Sequence, residues 1–258
     1  MKTKSKPFFT MSAFIAMLLC ISLSVFTSCG DNSDDSINTS LTLNVGETHS
    51  IGPGDDWESA NELVASVKNG TIKAVCSGTT TITGSAGTIK VTVKATNYNF
   101  TEPYLSFGAS KSDVKKAMSA YSLISEKTDA IGYNGKGNVA LYLYIFKNNQ
   151  LYMSGFEVTR AYVDTDDLTT FLIERYVVVN VDEEKNLIGM IDPLKKTLVF
   201  VQPIVQSSQV FVEVGYTKYT GPTTTNAIKK MRATVKPQNE NNKEVKAVFA
   251  QLKDKLVK

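Results

Sequence analysis

The sequence predicts a multidomain chain: an all-β segment followed by an α+β domain of two tandem helix-strand-strand-strand repeats. Three observations predict it. Short alternating apolar runs separated by turn residues fill Leu41 to Val93; helical spacing and then three extended runs follow Pro103; and the same order returns from Asp166. The 258 residues, 42% hydrophobic and 21% charged, suffice for more than one core.

In the first segment Leu41, Leu43 and Val45 alternate with Thr42 and Asn44 before Gly46. Leu63 to Val67 meets Thr71 to Val75 across Lys68-Asn69-Gly70, and an Asn-Gly pair supplies the positive φ angles of a tight hairpin turn. Thr79 to Thr83 and Thr88 to Val93 make a last pair around Gly84-Ser85-Ala86-Gly87. Leu43-Asn44-Val45-Gly46-Glu47-Thr48, then Trp57 to Val67, then Gly78-Thr79-Thr80-Thr81-Ile82-Thr83 resemble, in order, the group 2 bacterial immunoglobulin-like family. The resemblance implies an immunoglobulin-like sandwich over residues 40–96, an extracytoplasmic location and a spacer or adhesive role. Only eight residues separate Thr48 from Trp57, so one sheet is expected to be shortened. Trp57, at the family's own Trp, is expected in the core.

Residues 97–221 form the predicted α+β domain. Ser110 caps a helix with Val114, Ala117 and Met118 at helical spacing. Extended runs follow at Ser122–Ile131, Val139–Phe146 and Leu151–Thr159. Asp166 begins a second helix with Leu168, Phe171 and Leu172 on one side, and three more runs come after it: Tyr176–Val181, Leu187–Ile191 continuing raggedly through Leu198–Val201, and Val210–Tyr216. Phe107-Gly108-Ala109-Ser110 opening the first helix is similar to small envelope lipoprotein domains of the SmpA/OmlA type, and the doubled layout resembles the β-lactamase inhibitor protein fold. In Val139–Phe146 both faces are apolar: Val139, Leu141, Leu143 and Ile145 on one, Tyr142, Tyr144 and Phe146 on the other. If helices cover one face alone, Tyr142, Tyr144 and Phe146, extended by Tyr152 and Phe156, form a Tyr-rich candidate binding surface; the alternative is that both faces are covered.

The amino terminus carries an export signal. Lys2, Lys4 and Lys6 precede an apolar stretch from Phe8 to Phe26, and Phe26-Thr27-Ser28-Cys29-Gly30 resembles the lipobox of bacterial lipoproteins. That resemblance makes residues 1–28 a cleaved signal peptide and Cys29 the lipid attachment site. Each buried CH₂ of an acyl chain contributes about 0.8 kcal/mol, so two or more chains hold stably. Residues 29–39, with Gly30-Asp31-Asn32-Ser33-Asp34-Asp35-Ser36, read as a flexible acidic tether, either a plain spacer or a surface-export signal. With Cys29 acylated and Cys20 removed, Cys76 is the one thiol left, and no internal disulfide is expected.

The formal charge of +3 resides in those three leader lysines; without them 25 basic residues face 25 acidic ones, which argues against nucleic-acid binding. Residues 222–258 read as a basic helical tail, in which Val245, Val248, Phe249, Leu252 and Leu256 make one stripe expected to dock on the body. Candidate chemistry is sparse. His49 is the only imidazole, so no zinc site, triad or other cofactor is expected. Asp164-Thr165-Asp166-Asp167 lacks the Gly and Glu of a calcium loop and reads as helix-capping acids. Gly132 to Gly137 lacks a phosphate loop's Lys-Ser/Thr, and a hydrolase would have to pair carboxylates such as Glu157, Asp182, Glu183 or Glu184. The expectation is therefore a non-enzymatic outer-membrane or cell-surface lipoprotein, its immunoglobulin-like stalk presenting a head that binds a protein or glycan. An envelope inhibitor or assembly factor is the alternative, and a hydrolase the second.

Overall fold

A computed structural model describes residues 37–52, 56–194, 196–220 and 242–257. The chain is β-rich, and its first seven strands follow the turn chemistry closely. They are β1 (Ile37–Asn44), β2 (Thr48–Ser50), β3 (Glu58–Ser59), β4 (Ala65–Lys68), β5 (Thr71–Ala74), β6 (Gly78–Gly84) and β7 (Gly87–Lys94). Asn69 and Gly70 take φ of 49° and 67°, the left-handed pair that closes the β4–β5 hairpin. One sheet runs β1-β7-β6-β3, with β1 parallel to β7; the other runs β2-β5-β4. Their inward residues share one core around Val64, Ile72, Ile82 and Val91, all fully buried. Trp57 lies in it, against Gly84, where a Cβ would stand 2.8 Å from the indole. The short interval before Trp57 yields strands of three and two residues, β2 and β3.

Beyond Pro103 come α1 (Lys111–Ala117), β8 (Leu123–Glu126), β9 (Ala130–Asn134), β10 (Leu141–Lys147) and β11 (Gln150–Thr159). They are followed by α2 (Ala161–Asp164), α3 (Asp167–Ile173), β12 (Val177–Asp182), β13 (Leu187–Ile191), β14 (Thr197–Gln206), β15 (Gln209–Lys218) and α4 (Lys243–Leu256). Ser110 closes a capping box with Asp113 at the start of α1, as its position predicts. Asp166 does not cap α3 with its side chain; its φ of 64° turns the chain, and its carboxylate binds Lys255 at 2.6 Å. The α4 stripe of Val245, Val248, Phe249, Leu252 and Leu256 is buried as its periodicity requires.

Each half contains four strands rather than three. The run Ser122–Ile131 is two strands, folded at Lys127-Thr128-Asp129, a turn without glycine, asparagine or proline. The ragged run after Leu187 is also two, β13 and β14, because Asp192 accepts from the amides of Lys196 and Thr197 and bends the chain there. All eight strands join one antiparallel sheet in the order β12-β13-β14-β15-β11-β10-β9-β8. Each half is thus a meander, and the two halves meet through their last strands, β11 and β15, with Gly155 opposite Gly215.

The described residues make one compact unit. The seven-strand segment is stitched to the eight-stranded part by polar contacts around the end of α3. Glu174 accepts from the backbone amides of Thr96 and Asn97, each at 2.8 Å, and from the Thr96 hydroxyl. Its carbonyl accepts from Ser77 N at 2.7 Å and from the Cys76 thiol at 3.4 Å. Arg175 lies 4.1 Å from the Phe171 ring centroid and donates to the Asn97 carbonyl. Asn61 adds a bond to the Pro193 carbonyl. Burial pushes the Cys76 thiol up to about 12, so this sulfur is a packing group and not a nucleophile.

Candidate functional site

The alternation along β10 decides which side of the sheet is open. Tyr142, Tyr144, Phe146 and Phe156 point into the main core with Val114 and Met118 of α1, Val163 of α2, Leu168, Phe171 and Leu172 of α3, and Val248, Phe249 and Leu252 of α4. All four aromatic side chains are buried, so the surface expected of them is core. Among the described residues the helices cover one face alone, and it is the aromatic one. The reason is visible in the rings: Phe156 stacks on Phe100 and meets Phe171 and Tyr216 at centroid distances of 6.1–6.3 Å, contacts that hold α3 and the segment before α1 to the sheet. The Tyr142 hydroxyl donates to the Thr101 carbonyl at 3.0 Å, and that of Tyr144 accepts from Tyr104 N at 3.2 Å. Burial holds both phenols protonated, well above the usual tyrosine range. Tyr152 is half-buried beside Met153, Leu198 and Phe200 in a cluster to which none of the described helices contributes.

The helix-free face is the one carrying Leu141, Leu143 and Ile145, each half-buried. A row in register crosses it: Gly132, Leu143, Gly155, Gly215, Phe200 and Gly189. The Phe200 ring lies flat over Gly215, so a Cβ there would fall 1.8 Å from the ring's Cζ. One step along the strands, Glu157 stands directly opposite Glu213 across the β11–β15 seam. Carboxylates so placed repel when both are charged. Gln206 donates to Glu157 at 2.8 Å and Gln202 donates to Glu213 at 2.6 Å, leaving each acid one amide partner. Burial, with Glu213 opposite, raises the Glu157 carboxyl to about 7, and burial also raises Glu213.

This pair is the unanticipated centre of the face. Glu157 was a candidate only as a hydrolase acid, and its partner is none of Asp182, Glu183 or Glu184. Asp182 and Glu183 belong to the far edge, where Asp182 ends β12 and Glu183 pairs with Lys253. The signal for Glu213 lies in Gly155-Phe156-Glu157-Val158 and Val212-Glu213-Val214-Gly215: an acid within an apolar run, two residues from a glycine, in mirrored order. The crevice beside Glu213, between Leu143, Ile145, Met153 and Gly155, admits no water-sized sphere. This crevice therefore leaves no room for a ligand beside Glu213.

Among the described residues no group of three or more His, Cys, Asp or Glu side chains is placed to hold a metal ion. His49 is exposed on β2. Asp164 pairs with Arg160 at 3.7 Å, and Asp167 receives the Asn99 amide at 2.9 Å. No described helix is long and apolar enough to cross a membrane. Cys29, the leader before it and the tether to Ser36 lie outside the described residues. No family model matches the chain, and neither a curated protein nor a solved structure matches it.

Proposed function

We propose that the protein is an exported lipoprotein, held at the outer membrane through Cys29, whose function is to bind a protein or glycan partner without turning it over. The seven-strand segment serves as an immunoglobulin-like stalk, and the two helix-plus-meander halves form a duplicated α+β head. The observation that carries this reading is the packing of α1 to α4, among the described residues, on one face of the eight-stranded sheet, while on the opposite face Leu141, Leu143 and Ile145 of β10 stay half-exposed beside a buried patch of Leu187, Leu198 and Phe200. A half-exposed apolar row on a sheet face has the composition of an interaction surface. The closed crevice beside Glu213 and the scarcity of imidazole favour binding over hydrolysis.

The test places a photo-reactive side chain at Leu143 and, as a control, at exposed Lys90, in the full chain made by its own cells. A partner cross-linked at Leu143 and absent at Lys90 is expected; equal yields at both positions refute the surface. Mass spectrometry of the amino-terminal peptide checks the anchor: acyl chains on Cys29 are expected, and an unmodified sulfur with the leader attached refutes it. Protease shaving of intact cells then distinguishes outward display from residence inside the envelope.

A further inference from the structure

The central strands end in a groove of about 320 Å³, a volume at the lower end of the small-molecule range. Three separately held elements converge on it. The β10–β11 hairpin turns through Asn148 and Asn149, both at positive φ, which sets Lys147 opposite Gln150. The loop before α1 is stitched to β11 by Gly108 N to the Leu151 carbonyl at 2.9 Å and Leu151 N to the Ala109 carbonyl at 2.8 Å, which brings Phe107 to the wall. The end of β15 is fixed by Thr217, whose hydroxyl donates to the Tyr152 carbonyl at 3.0 Å, and Lys218 follows. The site is therefore built on backbone bonds and not on the chance approach of surface side chains.

Its lining has one electrostatic sign. Lys147 and Lys218 both border the groove, and no Asp or Glu is among the described residues that line it. Neither lysine makes an ion pair among the described residues. The Lys147 ammonium sits 5.9 Å from the Tyr152 ring centroid, and the rings of Tyr152 and Phe107 are half-buried. The side chains of Asn148 and Gln150 add neutral donors and acceptors beside them.

We propose that this groove binds an acidic saccharide, its sugar ring lying on Tyr152 and Phe107, its hydroxyls on Asn148 and Gln150, and its carboxylate between Lys147 and Lys218. A bare phosphate would engage the lysines and not the rings; a neutral sugar would engage the rings and not the ammoniums. A flat anionic membrane surface does not fill a concave groove. The proposal rests on the reading of the head as a binding module, but places this ligand at the end of the strands and not on the helix-free face.

Calorimetric titration of the full chain in a neutral, sugar-free detergent tests it with four probes: glucuronic acid, glucose, inorganic phosphate, and vesicles containing phosphatidylglycerol. Glucuronic acid is expected to bind at least about tenfold tighter than glucose or phosphate, because it alone engages both the rings and the charges. The variant Lys147→Ala/Lys218→Ala is expected to lose about tenfold or more in affinity at unchanged melting temperature, since both side chains are exposed. Tyr152→Phe should retain binding and Tyr152→Ala should lose it. Equal affinity for phosphate and glucuronic acid, binding to vesicles alone, or no heat with any probe overturns the proposal. Cross-linking at Leu143 is expected to be unaffected by the double lysine variant, so failure of the groove and failure of the sheet face read out separately.

Discussion

Replacing Glu157 with glutamine removes an ionisable proton from the middle of the sheet and keeps the shape and the Gln206 contact. In the folded chain the carboxyl is raised from the usual 4.5 to about 7, by burial first and by Glu213 second. At about 1.4 kcal/mol per tenfold, this amounts to roughly 3 kcal/mol of preference for the protonated form. Because the folded value is above the unfolded one, the stabilisation is complete below about pH 4.5 and declines as pH rises towards about 7, above which it is gone. The wild-type chain should therefore lose stability between pH 4.5 and 7, and Glu157→Gln should flatten that slope. At pH 8 the variant should be more stable by up to about 3 kcal/mol, or about 6–12 °C in melting temperature for a unit of this size. At pH 4 the two should coincide. Circular dichroism melts of the full chain at pH 4, 6 and 8 measure this, with the fluorescence of Trp57, the only tryptophan, as a second probe. An unchanged slope in Glu157→Gln would refute the buried pair as the source. Adding Glu213→Gln should gain less than the sum of the singles, since each substitution already removes the other acid's opposing charge.

Three further outcomes follow from the packing. Gly215→Ala drives a methyl group into the Phe200 ring and should destabilise the chain by about 3 kcal/mol in urea unfolding, part of which Phe200→Leu restores; a change under about 0.5 kcal/mol would contradict the ring's position. Glu174→Ala strands the Thr96 and Asn97 amides, costs about 1.5–3 kcal/mol, and should open residues 95–99 to limited proteolysis, with Glu174→Gln intermediate; equal cleavage rates would count against the junction. Cys76 should resist iodoacetamide in the native chain and react on unfolding, as mass spectrometry of its peptide would show; rapid native labelling would mean that the thiol is exposed.

Much of the β-rich architecture is legible in local chemistry. Asn69-Gly70 marks its hairpin, Ser110 its helix start and the Val245–Leu256 spacing its docked stripe, because each is decided within a few residues. Strand count was harder to read: Lys127-Thr128-Asp129 has only Asp129 as a turn residue and no glycine, asparagine or proline, and the bend at Asp192 depends on a side chain receiving amides four and five residues on. The open face was the least legible. A strand apolar on both sides does not say which side the helices take; that depends on Phe100, Phe156 and Phe171 meeting from three separate elements. Likewise Glu157 and Glu213 are ordinary acids in sequence and become a pair only through a register fixed between distant strands.

The seam between β11 and β15 has a consequence for how the molecule is made. Met153 pairs with Ile145 on one side and Thr217 on the other, so in a chain made from its amino end β11 stands with one bare edge well before the strand that covers it. During that interval the first meander shows an unsatisfied edge, and a holding factor that shields extended segments would shorten the exposure.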